Sequence, residues 1–327
     1  MAAAAMDLPT FADVLAAHER IQGAVRRTPV MNNEEFDARC GRRVYFKCEN
    51  LQIGGAFKFR GATNAVRHAE SNGWLQQGMA VATHSSGNHG AAVARAARER
   101  GFAAVVVMPE DSAAPKFAAV ERAGGQVICC KPGLAAREAT LASWLAEHSA
   151  FVVHPFDSSQ VIAGQGTAAV ELLVDCRALD VLTMPVGGGG LVGGSALAAR
   201  ALAPHCKVIA AEPAAADDAY QSFYSGQRVA AGIPTTIADG LRGALGMRNF
   251  ALLRAHVDAV VTVSEAEIIA AMRCILQDLK LLIEPSSAVP VAALLAGKIG
   301  AAGQRVGVIL SGGNVDLQAC PFLAGDK

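Results

Sequence analysis

The sequence predicts an α/β fold of mostly parallel sheets with helices on both faces, and three observations carry that prediction. Strand-like and helix-like segments alternate along the whole 327 residues, the pattern of parallel strands joined by crossover helices. The strand segments are short apolar runs, such as Ala-Val-Val-Val-Met at 104–108, as expected of strands buried on both faces. Five turns crowded with Gly, Ser or Asn punctuate the chain, and such turns end parallel strands where a ligand crevice forms.

Taken in order, a helix is expected over 12–25, opened by Thr10 with Asp13 three residues on as a capping box. A strand over 43–48 and a helix over 61–70 follow. Then come strand 79–84, helix 90–100, strand 103–108, helix 115–123, strand 126–130, helix 135–148 and strand 151–154. The rest reads as helix 166–175, strand 181–186, helix 195–202, strand 207–212, helix 216–226, strand 257–263, helices 265–278 and 287–296, and strand 305–310. Residues 79–157 hold four of the strands and three of the helices, enough for a lobe inserted between two parts of a larger one. A cleft between lobes is a common seat for a small molecule.

Composition narrows the function. Basic and acidic residues balance at 29 each, so no basic stripe points to nucleic acid. No apolar run is long enough to span a membrane, and the first residues lack the regions of a secretory signal. Eight cysteines are scattered without a C-x-x-C pair. Buried thiols in a reducing cytoplasm are expected, with neither a zinc site nor a disulfide framework.

The glycine run Gly187-Gly-Gly-Gly-Leu-Val-Gly-Gly194 leads from a strand into a helix. Backbone N–H groups at such a helix head cradle an anion, most often a phosphate. Two readings fit locally. Gly188, Gly190 and Gly193 match a dinucleotide fingerprint, with an acid, Glu212, ending the next strand, so an NAD-dependent oxidoreductase using 187–194 stands beside a pyridoxal phosphate enzyme. The other four turns do not need a dinucleotide. In Gly54-Gly-Ala-Phe-Lys-Phe-Arg-Gly61, a turn delivers Lys58 to a helix start, where the dipole repels an ammonium and frees an amine for Schiff-base chemistry. His84-Ser-Ser-Gly-Asn-His-Gly90 gathers hydroxyls, an amide and free N–H groups suited to a carboxylate. Glu284-Pro-Ser-Ser287 opens a helix, and Ser311-Gly-Gly-Asn314 ends a strand.

These five turns, in this order, resemble the fold-type II pyridoxal phosphate enzymes, and within them the serine/threonine dehydratase and serine racemase family. The match runs from about 27 to 316. The resemblance implies a large cofactor-binding domain of 1–79 and 158–327 and a small mobile domain of 80–157. It implies that Lys58 binds the cofactor as a Schiff base and takes the substrate α-proton, with Phe57 against the ring and Asn88 on the phenolic oxygen. Gly187, Gly188, Gly189, Gly190 and Leu191 would hold the phosphate, and Ser311 would face the pyridine nitrogen. Ser85, Ser86, Gly87, Asn88 and His89 would surround the α-carboxylate.

Ser86 places the chain nearer the serine racemases and threo-3-hydroxyaspartate dehydratases than the threonine dehydratases. It is the expected second proton carrier, opposite Lys58. Arg137 matches a position suited to a second carboxylate. Glu212, the Ala216 carbonyl and Asp218 resemble a divalent-cation loop for Mg²⁺, Ca²⁺ or Mn²⁺. The family departures are few: Ala56 stands where many members have serine, and Pro155-Phe-Asp-Ser-Ser159 replaces a more acidic stretch. The regulatory domain of biosynthetic threonine dehydratases has no counterpart after 316, so isoleucine control is not expected. The implied reaction is dehydration and deamination of L-serine, L-threonine or threo-3-hydroxyaspartate to a 2-oxo acid and ammonia, accompanied by serine racemisation, in a cytoplasmic homodimer.

Overall fold

The apolar runs sort into two sheets. Among the described residues ten strands are formed: β1 Val30–Met31, β2 Arg43–Cys48, β3 Ala80–His84, β4 Ala103–Pro109, β5 Gly125–Cys130, β6 Ala150–Val152, β7 Val181–Pro185, β8 Lys207–Pro213, β9 Ala259–Val263 and β10 Arg305–Leu310. One sheet has the order β1-β2-β10-β7-β8-β9 and the other β5-β4-β3-β6. Every pairing is parallel except β1 with β2. The structure, a computed structural model, describes residues 6–85, 87–232 and 234–322.

Among these residues twelve α-helices cover the sheets: α1 Phe11–Ile21, α2 Glu34–Cys40, α3 Lys58–Ser71, α4 Asn88–Glu99, α5 Ala114–Ala123, α6 Leu134–Leu145, α7 Ser159–Asp175, α8 Gly190–Leu202, α9 Asp218–Ser225, α10 Met247–His256, α11 Glu265–Leu279 and α12 Pro285–Leu295. Alternation along the strands of the larger sheet feeds two cores. Ile309, Leu182 and Met184 point to the side covered by α1, α7, α8 and α10. Val308, Leu310 and Val181 point to the side of α2, α11 and α12. Burying both faces in this way explains why the central strands read as continuous apolar runs. The Thr10–Asp13 capping box forms as the sequence implies.

Three departures from the sequence reading share one cause. Helix α7 begins at Ser159 rather than 166, α8 begins at Gly190 rather than 195, and α3 begins at Lys58 rather than 61. Glycines weaken the helix signal in all three, yet they are there for contact. A Cβ on Gly194 would stand 2.2 Å from the Ile162 carbonyl oxygen, and one on Gly164 would stand 2.7 Å from Gly61 Cα. The bare backbones let α3, α7 and α8 touch. Strand β6 stops at Val152, short of His154, because the His154 ring turns the chain by accepting the N–H groups of Phe156 and Asp157. Helices α2 and α10 and strand β1 were not expected.

The register then places the turns. Cys48 at the end of β2 lies beside Leu310 at the end of β10, and Val308 lies beside Thr183 of β7. The segments that follow these three strand ends therefore open at one edge of the sheet, where parallel sheets bind ligands.

Candidate active site

After β2 the chain makes two tight turns, with Gly54 and Gly55 at φ 74° and 75°. A Cβ on Gly55 would also stand 2.3 Å from Asn314 Oδ1, so glycine is required there twice over. Ala56 then bridges Gly312, and the Phe57 N–H donates to the Ser311 carbonyl at 3.0 Å. This strap against the end of β10 delivers Lys58 as the first residue of α3. The Lys58 ammonium donates to the Pro155 carbonyl at 3.0 Å and lies 5.2 Å from the Phe57 ring centre. Burial pulls its pKa down to about 8, and Glu284 offsets this only in part.

Two residues further on, the side chain of Arg60 is fully buried. It reaches Glu49 at 2.7 Å and Glu171 at 2.7 Å, while Lys47 reaches Glu171 at 2.6 Å. The Lys47 ammonium also donates to the Thr28 carbonyl at 2.6 Å. Two cations and two anions, none more than 4% exposed, fasten the first turn of α3 to β2 and α7. Sequence reasoning read Arg60 only as a motif letter and missed Lys47, Glu49 and Glu171. No local signal marks them, since the partners lie 111 and 124 residues apart.

Facing Lys58 is the head of α4. Asn88 Nδ2 donates to both Glu284 oxygens, at 3.1 and 3.0 Å, and Asn88 Oδ1 accepts from Asn314 at 2.9 Å. Glu284 is thus a site residue that the sequence showed only as an acid opening a helix. Burial raises its carboxyl to about 7, against the lowering by Asn88. Ser85 is buried and its hydroxyl accepts the Gly87 N–H at 3.2 Å. Ser86 lies outside the described residues. The buried His89 ring contacts the Val153 carbonyl at 3.2 Å, and burial holds its pKa well below the usual value. Its side chain is therefore committed to the backbone beneath.

The glycine loop closes the other side. Gly189 adopts φ 89°, and the Gly193 N–H to Gly189 carbonyl bond, at 2.8 Å, joins α8 to the loop. The earlier N–H groups of a helix head have no helical acceptor. The loop is braced from behind by Asn249, whose Nδ2 donates to the Gly188 carbonyl at 2.6 Å. A Cβ on Gly187 would stand 2.8 Å from Leu241 Cα, and one on Gly188 would stand 2.3 Å from the Phe156 ring. Only bare backbone fits, as a phosphate cradle needs. Leu191 and Ser311 are buried beside these segments. An amine able to lose its proton, a glycine cradle at a helix head, an amide and a hydroxyl form the donor set that pyridoxal phosphate requires.

Arg137 stands on α6, half-buried, with its Nε making no hydrogen bond among the described residues. Its charge is felt by His84 and Cys130. Glu212 and Asp218 are both buried. Glu212 accepts the N–H groups of Ala219 and Tyr220 at 3.3 and 2.9 Å, and Asp218 accepts that of Leu245 at 2.9 Å. Burial first, and Asp218 after it, raise Glu212 to about 9. Among the described residues no group of three or more His, Cys, Asp and Glu side chains could hold a metal ion.

The sequence profile of the family described as "Pyridoxal-phosphate dependent enzyme" matches residues 21–312. This chain belongs to that family. It is 46% identical over 317 residues to a beta-hydroxyaspartate dehydratase of Paracoccus denitrificans, covering 97% of this chain and 100% of that one. It is 43% identical to an L-threo-3-hydroxyaspartate ammonia-lyase of Saccharomyces cerevisiae, covering 98% of each. The crystal structure of serine racemase from Dictyostelium discoideum superposes with a TM-score of 0.88 at 43% identity, covering 94% of this chain and 99% of that one. The fold is accordingly the fold-type II pyridoxal phosphate fold, and the chain is a pyridoxal-phosphate-dependent enzyme. The dinucleotide reading of 187–194 falls: the family match spans the whole run, and the acid it relied on, Glu212, is buried and bonded to the head of α9.

Proposed function

We propose that this enzyme removes the β-hydroxyl and then the amino group of 3-hydroxyaspartate, releasing oxaloacetate and ammonia, and that it interconverts the serine enantiomers more slowly. The observation that carries the reading is the buried Lys58 amine, set between the glycine loop and the Asn88–Glu284 pair. Bound pyridoxal phosphate supplies the electron sink that lets the α-proton and then the β-hydroxyl depart. The protein supplies the rest. Lys58 takes the α-proton; an amine with a pKa near 8 is a competent base near neutrality. The glycine loop anchors the phosphate and so fixes the ring relative to Lys58. The turn at 85–88 holds the α-carboxylate, and Ser86 returns a proton on the opposite face when the α-carbon inverts. Ser311 offers a neutral hydroxyl to the ring nitrogen.

We further read 80–157 as a small mobile domain closing over the site. Glu212, the Ala216 carbonyl and Asp218 are read as ligands of a structural divalent cation in a cytoplasmic homodimer. Two buried carboxylates beside one helix head support the cation, and chelation should lower the melting temperature reversibly. Among the described residues no helix is long and apolar enough to cross a membrane.

The test is a product assay of the holoenzyme on L-serine, D-serine, L-threonine and both threo-3-hydroxyaspartates. The highest kcat/KM for ammonia and 2-oxo acid is expected with a threo-3-hydroxyaspartate. Absence of ammonia from all five would overturn the reading.

A further inference from the structure

Lys116 and Asp239 meet across the mouth of the site. Lys116 lies in the first turn of α5, beside the four-stranded sheet, and Asp239 lies in the short turn Asp239–Leu241, beside the six-stranded sheet. Their side chains form an ion pair and remain 32% and 37% exposed. The Lys116 side chain also runs along the carboxylate turn: its Cδ, Cε and Nζ lie 3.7 to 3.8 Å from where a Cβ on Gly87 would stand. Asp239 is followed by Gly240, whose N–H donates to Ser286 at 3.0 Å, beside Glu284. The Glu284 carboxyl senses both charges, raised by Asp239 and lowered by Lys116. The pair thus stands next to the Asn88–Glu284 contact, with its ammonium alongside Gly87.

We infer that Lys116 selects dicarboxylate substrates: its ammonium leaves Asp239 and takes the distal carboxylate of the bound hydroxyamino acid. The inference rests on the proposed function and adds a residue to it. The exchange replaces one carboxylate by another on the same ammonium, so no buried charge is left unpaired. Asp239, already more than a third exposed, turns to water at little cost, because exposed ion pairs are weak. Serine and threonine have no second carboxylate and leave the pair intact. The charge of Arg137, on α6, is felt by His84 at the start of the same turn. Lys116 approaches from the Gly87 side, and it is the one whose cation is held by a displaceable acid.

The test compares K116M, K116R and D239N holoenzymes on threo-3-hydroxyaspartate and on serine, with calorimetric binding of succinate against propionate as a readout independent of turnover. In K116M the KM for hydroxyaspartate should rise at least about tenfold more than the KM for serine, and succinate should lose its advantage over propionate by a similar factor. K116R should retain most of the preference. D239N should tighten succinate, because it removes the competing carboxylate. If K116M raised both KM values equally, or D239N weakened both ligands, the pair would be a clasp between the two sheets and the inference would fail. A wild type that releases no ammonia from any substrate would sink the proposed reaction, while the succinate and propionate affinities would still decide the role of Lys116.

Discussion

Two sets of charges flank Lys58, and they are built in opposite ways. Beneath it, Lys47, Glu49, Arg60 and Glu171 are sealed from water, with exposures of 0 to 4% and every contact near 2.7 Å. At the mouth, Lys116 and Asp239 keep about a third of their side chains in solvent. A sealed cluster resists rearrangement, because separating any pair would leave a charge in a low dielectric. A wet pair separates readily. The first arrangement suits the part that must not move, the start of α3 that presents Lys58. The second suits a part that must exchange partners.

The largest effect that would break this comparison concerns Lys58 itself. Lys58→Ala should lower turnover by at least about 10³-fold while the fold persists. Borohydride should no longer fix the cofactor to the protein. Trapped cofactor on the variant would show that another amine is the reactive one.

Next comes the sealed cluster. Removing one partner, as in Glu171→Ala, should cost about 3 to 5 kcal/mol in chemical denaturation, because Lys47 would remain buried without a carboxylate and Arg60 would keep only Glu49. The K116M/D239N double variant should change stability by less than about 1 kcal/mol. Similar losses in the two places would erase the distinction drawn between them.

A smaller effect appears in the pH dependence of the apo-protein. The pKa of Lys58 is lowered in the fold from 10.5 to about 8. Between those values the unfolded chain binds more protons, so stability should rise as pH increases from about 8 to about 10.5. The gain is on the order of 3 kcal/mol and should vanish in Lys58→Met. Glu284 works in a separate window. Its pKa is raised from 4.5 to about 7, so the fold binds more protons there and stability should fall as pH climbs from about 4.5 to about 7. A flat profile from pH 8 to 10.5 would mean that the Lys58 amine is better solvated than its surroundings imply.

Much of this molecule was legible before folding. Strands β2 and β10 were read to the residue because their apolar runs sit between clear turn signals. The turn residues Lys58, Asn88, Glu284, Ser311 and Asn314 stood out as motif letters before the fold brought them near one another. What stayed hidden was long-range. Nothing near Lys47 or Glu171 says that the two will meet, since a charge on a strand or helix ordinarily reads as a solvated face. The glycines of α7 and α8 misled in the other direction, because their value lies in a neighbouring backbone that local propensity does not see. The role of Lys116 depends on an acid brought across from residue 239, so its helix alone carried no sign of it.

The eight cysteines have a practical consequence. Seven are buried and only Cys129, on β5, is exposed. Burial drives the thiols of Cys48, Cys206 and Cys274 up to about 12, which leaves almost no reactive thiolate at neutral pH. A maleimide dye should therefore label the native enzyme at a single position, on the edge strand of the four-stranded sheet. The wild-type chain comes with its own attachment point for an optical probe, placed on the four-stranded sheet.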